Sequence, residues 1–332
     1  MILKTGSLII ICLDCTRYPI QHITLCEGFI AAIIQTMKNS IYLVIALLIV
    51  LTTGCTRGAE PTSELPATTQ RSKIDNKGSD TLVNLALAWA EKYHQLYPDV
   101  DISVTGGGSG TGIAALINRT VDIANASRQI KPEEIQQAQD NGGDPIEFIV
   151  AKDAIAVIVN PENPVNQLTI QQLSDIYSGK INNWKDVGGD DRIIVRLSRE
   201  TNSGTHVFFL ENVVRMGDPK DKTLFSTDTL LLPSSEGITA ETRDNPNVIG
   251  YDGLGYITPD VKMIAIASDS SSPFFLPSAN TVNQGQYPIA RDLYMYTNHQ
   301  PSGSIANYIN WIMTSEAQTI VTQLGFVPIG VP

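Results

Sequence analysis

Apolar and polar positions along this chain follow two spacings, which predict helices interleaved with strands. Residues 80–97 place apolar side chains three and four positions apart, as on one face of an amphipathic helix. Residues 100–104 form an apolar run typical of a strand, and a second helical pattern begins near Gly110. Because this alternation continues toward the C-terminus, it predicts an α/β fold with helices on both faces of a sheet.

Two almost continuous apolar runs, residues 146–151 and 154–160, are typical of buried parallel strands. Together with the glycine-rich residues 250–255, they mark places where the chain could cross between two lobes. A strand is also predicted over residues 193–197, with a helix after Ser203 that continues through Val214. The other predicted elements are strands at residues 122–124, 263–267 and 288–297 and helices at 132–139, 169–177, from 302, and 315–324.

The loop before the second helix, residues 104–112, reads VTGGGSGTG. Glycines allow several backbone N–H groups to point at one place. The N-terminus of the following helix adds unpaired donors and a partial positive charge. The loop therefore predicts a site for a small oxyanion, with a tight turn that only packs as the alternative.

Two further loops, residues 78–82 (GSDTL) and 199–205 (RETNSGT), also open predicted helices. Each offers hydroxyls and free amides at a helix start. One such cluster is most simply an N-cap, but three in one chain favour a shared anion site. Arg199 stands four residues before Ser203 and could form a bidentate pair with an oxyanion. The alternative for Arg199 is a surface salt bridge.

Charge and composition narrow the function further. The 332-residue chain has a net charge of −11, which argues against nucleic acid as a partner. An anion would therefore have to be held by local, desolvated donors and not by a basic surface. All four cysteines occur by residue 55, and His94, His206 and His299 are far apart. No metal site and no cofactor are therefore predicted for the body of the chain.

Enzyme motifs are incomplete in the glycine-rich loop. Residues 110–115 fit a loose dinucleotide fingerprint, but Ile130 stands where an acidic residue is expected. A P-loop would need lysine at Ile113, and a nucleophile elbow would need glycine at Thr111. We therefore predict a protein that is not an enzyme and has no catalytic residue.

The N-terminal region, residues 1–54, is predicted to be a leader and signal peptide, with Met37 as a second candidate start. A short basic segment precedes an almost unbroken apolar run of eleven residues, 41–51. This run is shorter than a typical transmembrane helix and fits the apolar region of a signal peptide. Small residues then lead to Cys55, which looks like the lipid-modified cysteine of a bacterial lipobox. Residues 55–72 are rich in Thr, Ser, Pro, Ala and Glu and read as a flexible tether.

Residues 74–328 resemble the phosphate-binding components of Pst-type ABC importers. The resemblance rests on the order and spacing of short motifs at residues 78–81, 106–112, 121–128, 199–205, 249–251, 287–291 and 325–328. It implies an α/β, two-lobed periplasmic-binding-protein (type II) fold with the ligand in a cleft between the lobes. Lobe 1 would comprise residues 73–155 and 251–332, and lobe 2 residues 156–250.

The resemblance also implies a function and its partners. The protein would bind inorganic phosphate with high affinity and deliver it to the membrane subunits of an ABC permease. It would be a monomer in the periplasm or on the outer face of the cell membrane, anchored in lipid through Cys55. The alternatives are a receptor for another oxyanion such as sulfate, a secreted phosphatase-like enzyme, and a phosphate-sensing or adhesion protein without a transporter.

The residues that the resemblance assigns to phosphate binding lie in the three loops and after the predicted strand at 122–124. They are Ser79, Thr81, Leu82 (through its backbone amide), Ser109, Ser127, Arg128, Arg199, Ser203, Gly204 and Thr205, and we add Asp80, which stands where the family commonly has serine. For Arg128 an ion pair that holds its loop is the alternative. For Asp80 we consider two roles, an acceptor for the proton that phosphate carries near neutral pH, or the N-cap of a helix.

Overall fold

A computed structural model describes residues 71–330, where helices and strands alternate as the sequence predicts. The first half contains β1 (Ser72–Gly78), α1 (Asp80–Leu96), β2 (Val100–Thr105), α2 (Ser109–Ile117), β3 (Ile123–Ala126), α3 (Pro132–Asp140) and β4 (Ile146–Val159). Then come β5 (Gln167–Thr169), α4 (Ile170–Tyr177), β6 (Val195–Arg199), α5 (Gly204–Phe209), β7 (Leu230–Leu232), α6 (Ser235–Asp244) and β8 (Val248–Gly253). The chain continues with β9 (Lys262–Met263), β10 (Ala265–Ala267), α7 (Ala279–Asn283), β11 (Ala290–Thr297), α8 (Gly303–Ile312) and α9 (Ser315–Gln323).

The main sheet has nine strands in the order β2-β1-β3-β11-β4-β8-β6-β7, with β9 paired to β4. At one end β1 runs parallel to β2 and β3, and at the other end β6 runs parallel to β7 and β8. We call the elements around β1–β3 the first lobe and those around β6–β7 the second lobe. The fold is therefore the expected two-lobed α/β arrangement.

The centre of the sheet departs from the prediction. The two predicted parallel strands at residues 146–151 and 154–160 form one strand, β4, which is antiparallel to β11, β8 and β9. Most of residues 250–255 belong to β8, whose six residues are all buried, so they form a strand and not an irregular loop, and their role as a crossing between the lobes stays a prediction. The predicted strand direction was wrong because a continuous apolar run indicates a strand that is buried on both faces. It does not indicate whether the neighbouring strands run parallel or antiparallel to it.

The strand β4 is also where the chain passes from one lobe to the other. It pairs with β11 as far as Ala154 and with β8 from Ile155 onward. The lobe boundaries given above, residues 73–155, 156–250 and 251–332, stay a prediction.

Each lobe has its own apolar core. In the first lobe, the predicted apolar face of α1 is buried, and Trp89 donates from its indole to the Ala317 carbonyl over 2.9 Å. In the second lobe, the rings of Phe209 and Tyr251 stack 3.6 Å apart. These cores fix the helices whose N-termini meet between the lobes.

The predicted signal peptide, Cys55 and residues 55–70 of the tether lie outside the described residues. From residue 71 to residue 330, no helix combines the length and apolar character needed to cross a membrane.

Candidate functional site

The first loop of the site lies between β1 and α1. Gly78 has a φ of +149°, and a Cβ on it would lie 2.1 Å from the Asn125 carbonyl oxygen of β3. This close approach excludes any side chain at Gly78. Ser79, which follows, donates its backbone N–H to the same carbonyl over 2.9 Å. The start of α1 is thus fixed against the end of β3.

The glycine-rich loop packs tightly, and two of its amides are bonded to protein acceptors. The N–H of Gly107 donates to the Asp80 carboxylate over 2.7 Å, and that of Gly110 donates to the Asn202 carbonyl over 3.0 Å. A Cβ on Gly112 would lie 2.6 Å from the Gly78 Cα. The loop therefore includes the tight packing considered as the alternative, and its side-chain contribution to the site is Ser109.

Six hydroxyl side chains from both lobes are buried together at the N-termini of α1, α2 and α5 and at the end of β3. They are Ser79, Thr81, Ser109, Ser127, Ser203 and Thr205, which we call the hydroxyl cluster. The Ser79 hydroxyl donates to the Ser127 hydroxyl over 2.9 Å, and the Ser109 and Ser127 hydroxyls lie 3.2 Å apart.

The second lobe enters this cluster through the start of α5. The hydroxyl of Thr205 lies 3.0 Å from that of Thr81 in the first lobe. A Cβ on Gly204 would lie 2.3 Å from the Ser109 Oγ and 2.5 Å from the Ser127 Oγ. Ser203 accepts a hydrogen bond from the Thr205 N–H over 3.2 Å and acts as the N-cap of α5. The sequence-predicted residues of both lobes therefore meet directly.

Arg199, at the end of β6, is buried and is not part of a surface salt bridge. Its Nη2 donates to the Asp80 carboxylate over 2.9 Å, and its Nη1 donates to the Ser235 hydroxyl over 2.7 Å. The Asp252 carboxylate lies farther from Nη1, at 3.4 Å. The Arg199 Nε is buried and has no hydrogen-bond partner among the described residues.

Asp80 is the first residue of α1, whose N-cap is Ser79. Its two carboxylate oxygens accept from Gly107 and from Arg199. The Asp80 side chain therefore bonds to Gly107 and Arg199, and not to the backbone amides of α1 as the N-cap role would require. The backbone amide of Leu82, another predicted site group, donates to the Ser79 carbonyl over 3.0 Å.

Arg128 turns toward the start of α3. Its Nη1 and Nη2 donate to both carboxylate oxygens of Glu134, over 2.8 Å and 2.7 Å. Burial raises the pKa of Glu134, but the hydrogen bonds and positive charges of Arg128 and Lys131 together outweigh it and leave the pKa below its usual value. Arg128 thus forms the loop-holding ion pair considered for it, and its contact with a ligand stays a prediction.

Three charged residues of the site, Asp153, Asp252 and Arg291, were not predicted from the sequence. Asp153 and Asp252 are completely buried, and Arg291 pairs with Asp153 over 2.9 Å. Burial raises the pKa of Asp153 and of Asp252, although Arg291 and Arg199 respectively act to lower it. The available signals were Asp153 between two apolar runs and Arg291 at the end of the 287–291 motif.

The arrangement can surround a small anion with hydroxyl donors and one or two guanidinium groups. Hydrogen bonds that involve such charged partners are shorter and stronger than neutral ones. Within residues 71–330, no group of three or more His, Cys, Asp or Glu side chains is arranged to hold a metal ion.

Comparison with known proteins assigns the chain to a family. Residues 63–316 match the family model described as a PBP superfamily domain. The phosphate-binding protein PstS of Pseudomonas aeruginosa is 32% identical over 273 residues, which cover 77% of this chain and 83% of that protein.

Two solved structures have a similar fold. A protein from Clostridium perfringens, solved with bound phosphate, has a TM-score of 0.69 at 29% identity and covers 78% of this chain and 100% of its own. An ABC-type phosphate transport receptor from Vibrio cholerae has a TM-score of 0.63 at 27% identity, with 77% of this chain and 100% of its own covered. This chain therefore belongs to the PBP superfamily and, within it, to the PstS family.

Proposed function

We propose that the protein binds inorganic phosphate between its two lobes, outside the cytoplasm, and delivers it to the membrane subunits of an ABC permease. The observation that carries this proposal is the hydroxyl cluster, in which six buried Ser and Thr side chains from both lobes converge. The names of the relatives support phosphate as the anion, and one related structure holds bound phosphate.

The chemistry of the cluster suits phosphate. A hydroxyl that donates to a neighbouring hydroxyl, such as Ser79 to Ser127, can rotate its hydrogen toward a phosphate oxygen at little cost. Arg199 can add a charge-assisted bond, because its buried Nε has no hydrogen-bond partner among the described residues. These local donors let a chain with a net charge of −11 hold an anion.

In this function no bond is made or broken, and the protein acts as a receptor and not as an enzyme. The names of the relatives refer to phosphate binding and phosphate transport. They do not favour a sulfate receptor, a phosphatase-like enzyme or a sensor without a transporter.

The proposal includes a monomer that is anchored in membrane lipid through Cys55. An anchored protein should be released from the membrane fraction when Cys55→Ser removes the thiol. A Cys55→Ser variant that stays entirely in the membrane fraction would contradict the anchor while leaving phosphate binding unaffected.

A calorimetric titration of the purified protein with phosphate, sulfate and arsenate tests the binding function. We expect one phosphate per chain. Sulfate should bind at least about tenfold more weakly, because a buried group placed to accept a hydrogen bond from the phosphate proton would be left without a partner. Equal affinity for sulfate would favour a general oxyanion receptor, and absence of heat with all three anions would contradict the proposal.

A further inference from the structure

Arg291 lies beneath the hydroxyl cluster, on β11, and is almost completely buried. In the pairing of β11 with β4, Arg291 stands directly opposite Asp153. Its Nε and Nη2 both donate to one oxygen of the Asp153 carboxylate, over 3.2 Å and 2.9 Å. The pair is therefore held by two neighbouring strands at the centre of the sheet.

The same guanidinium contacts both lobes. Its Nη2 lies 2.9 Å from the Thr205 hydroxyl of the second lobe and 3.3 Å from the Thr81 hydroxyl of the first lobe. Its Nη1 donates to the Ser127 carbonyl over 3.0 Å. Arg291 thus touches three of the residues that the proposed function assigns to phosphate binding.

These contacts fix the direction of the hydroxyl hydrogen bonds. A guanidinium has only donors, so Thr81 and Thr205 can only accept from Arg291. Each threonine then has its own hydrogen left to donate. The two hydroxyls lie 3.0 Å apart and only one can donate to the other, so at least one hydrogen is available for an acceptor.

Asp153 connects this arrangement to β4, where the chain passes between the lobes, and to the residue that follows β8. It lies on β4 next to the point where β4 changes its partner from β11 to β8. Its second carboxylate oxygen accepts from the N–H of Leu254, the residue that follows β8, over 3.1 Å. The orientation of Arg291 is thus set at the crossing itself.

We propose that Arg291, held by Asp153, is a positioning residue that sets the Thr81 and Thr205 hydroxyls as donors to the anion from the two lobes. This inference rests on the proposed function. Arg291 acts through the threonines, and its fork of N–H groups is the required feature, since lysine carries the same charge without the fork.

A double-mutant cycle with Arg291→Lys and Thr205→Val, read as the phosphate dissociation constant of the purified full-length protein, tests the inference. We expect Arg291→Lys to weaken phosphate binding about tenfold or more. In the Thr205→Val background, Arg291→Lys should weaken phosphate binding by at most about a third of the factor that it causes on its own. The reason is that the effects of residues in one hydrogen-bond network are not additive.

The matched control is Arg196→Lys. Arg196 is also buried and pairs with Asp228 over 2.9 Å, but it contacts no residue of the hydroxyl cluster. The Arg196→Lys variant should have a lower melting temperature but an unchanged phosphate dissociation constant. Equal phosphate binding by Arg291→Lys and the unmodified protein would overturn the inference, and so would strictly additive effects in the cycle.

A second variant keeps the test decisive if Arg291→Lys fails to fold. Arg291→Gln combined with Asp153→Asn replaces the buried ion pair with two neutral amides, which avoids leaving one charge unpaired. This double variant should bind phosphate at least about tenfold more weakly, and unchanged binding would overturn the inference. If the unmodified protein itself does not bind phosphate, the proposed function fails first.

Discussion

Arg199 and Asp80 form an ion pair between the lobes, with the guanidinium Nη2 2.9 Å from the carboxylate. Arg199 ends β6 in the second lobe, and Asp80 begins α1 in the first lobe. The Asp80 side chain keeps 23% of its surface exposed, whereas that of Arg199 keeps 1%. Arg199, which is predicted to bind the anion, is therefore paired with Asp80, which is predicted to favour phosphate over sulfate.

Asp80→Asn tests whether Asp80 accepts the proton that phosphate carries. Asparagine keeps an oxygen for the Gly107 amide but loses the charge that would repel sulfate. If Asp80 selects the anion, sulfate should gain on phosphate by at least about tenfold at neutral pH. The measurement is calorimetric titration with both anions. An unchanged affinity ratio would assign selectivity to another group and leave Asp80 as the partner of Arg199.

Arg199→Ala should weaken phosphate binding by about one to two orders of magnitude, the effect of a charge-assisted hydrogen bond. It should also lower the free energy of unfolding by about 3–5 kcal/mol, because buried Asp252 loses a cationic partner. Titration and denaturant unfolding measure the two effects separately.

The control for Arg199→Ala is Arg192→Ala, which removes a half-exposed arginine that lies 3.7 Å from Asp190. Its effect on the free energy of unfolding should stay within about 1 kcal/mol, with no change in phosphate affinity. A change of less than about threefold for Arg199→Ala would show that Arg199 is not a ligand.

Gly204→Ala tests the close approach of the second lobe. The added Cβ would lie 2.3 Å from the Ser109 Oγ, so the start of α5 could no longer reach the hydroxyls of the first lobe. We expect phosphate affinity to fall about tenfold or more, as overpacking typically costs this much. Gly330→Ala is the control, since nothing lies within 4 Å of a Cβ there. Wild-type affinity in Gly204→Ala would contradict the lobe contact seen here.

His206 should make the stability of the second lobe depend on pH. The side chain is buried, its Nδ1 lies 3.0 Å from the Ser198 Oγ, and burial lowers the pKa of the imidazole. The unfolded chain therefore binds a proton at a higher pH than the folded chain. The free energy of unfolding should fall as the pH drops below about 6.5, the ordinary value for histidine.

The control for this pH dependence is His206→Gln, which removes the titrating group. Its free energy of unfolding, measured by denaturant titration between pH 7.5 and 5, should decline less steeply than that of the unmodified protein. Parallel pH profiles for the two proteins would refute a contribution from His206.

Local patterns were sufficient for much of the fold. The three- and four-residue spacing predicted the buried face of α1, and glycines with hydroxyls predicted the starts of α1, α2 and α5. The direction of β4 could not be predicted, because an apolar run carries no information about its neighbours. The strand β1 was not predicted at all, since five of its seven residues (Ser72, Lys73, Asp75, Asn76 and Lys77) are polar or charged.

The site was predictable where its residues stand close together in the sequence. Arg199, Ser203 and Thr205 share one short motif, and the structure places Arg199 against Asp80 and Thr205 against Thr81, both at the start of α1. Arg291 and Asp153 are 138 residues apart, and their contact depends on the antiparallel register of β11 and β4. No local spacing encodes that register, which explains why the buried ion pair was missed.

The most direct test of the account is a crystal structure of the protein with bound phosphate. We predict one phosphate between the lobes, within hydrogen-bonding distance of hydroxyls from both Thr81 and Thr205 and of the Arg199 guanidinium. The hydroxyls that now bond to one another should instead donate to phosphate oxygens. A phosphate bound outside the hydroxyl cluster, or held by residues of only one lobe, would contradict the account.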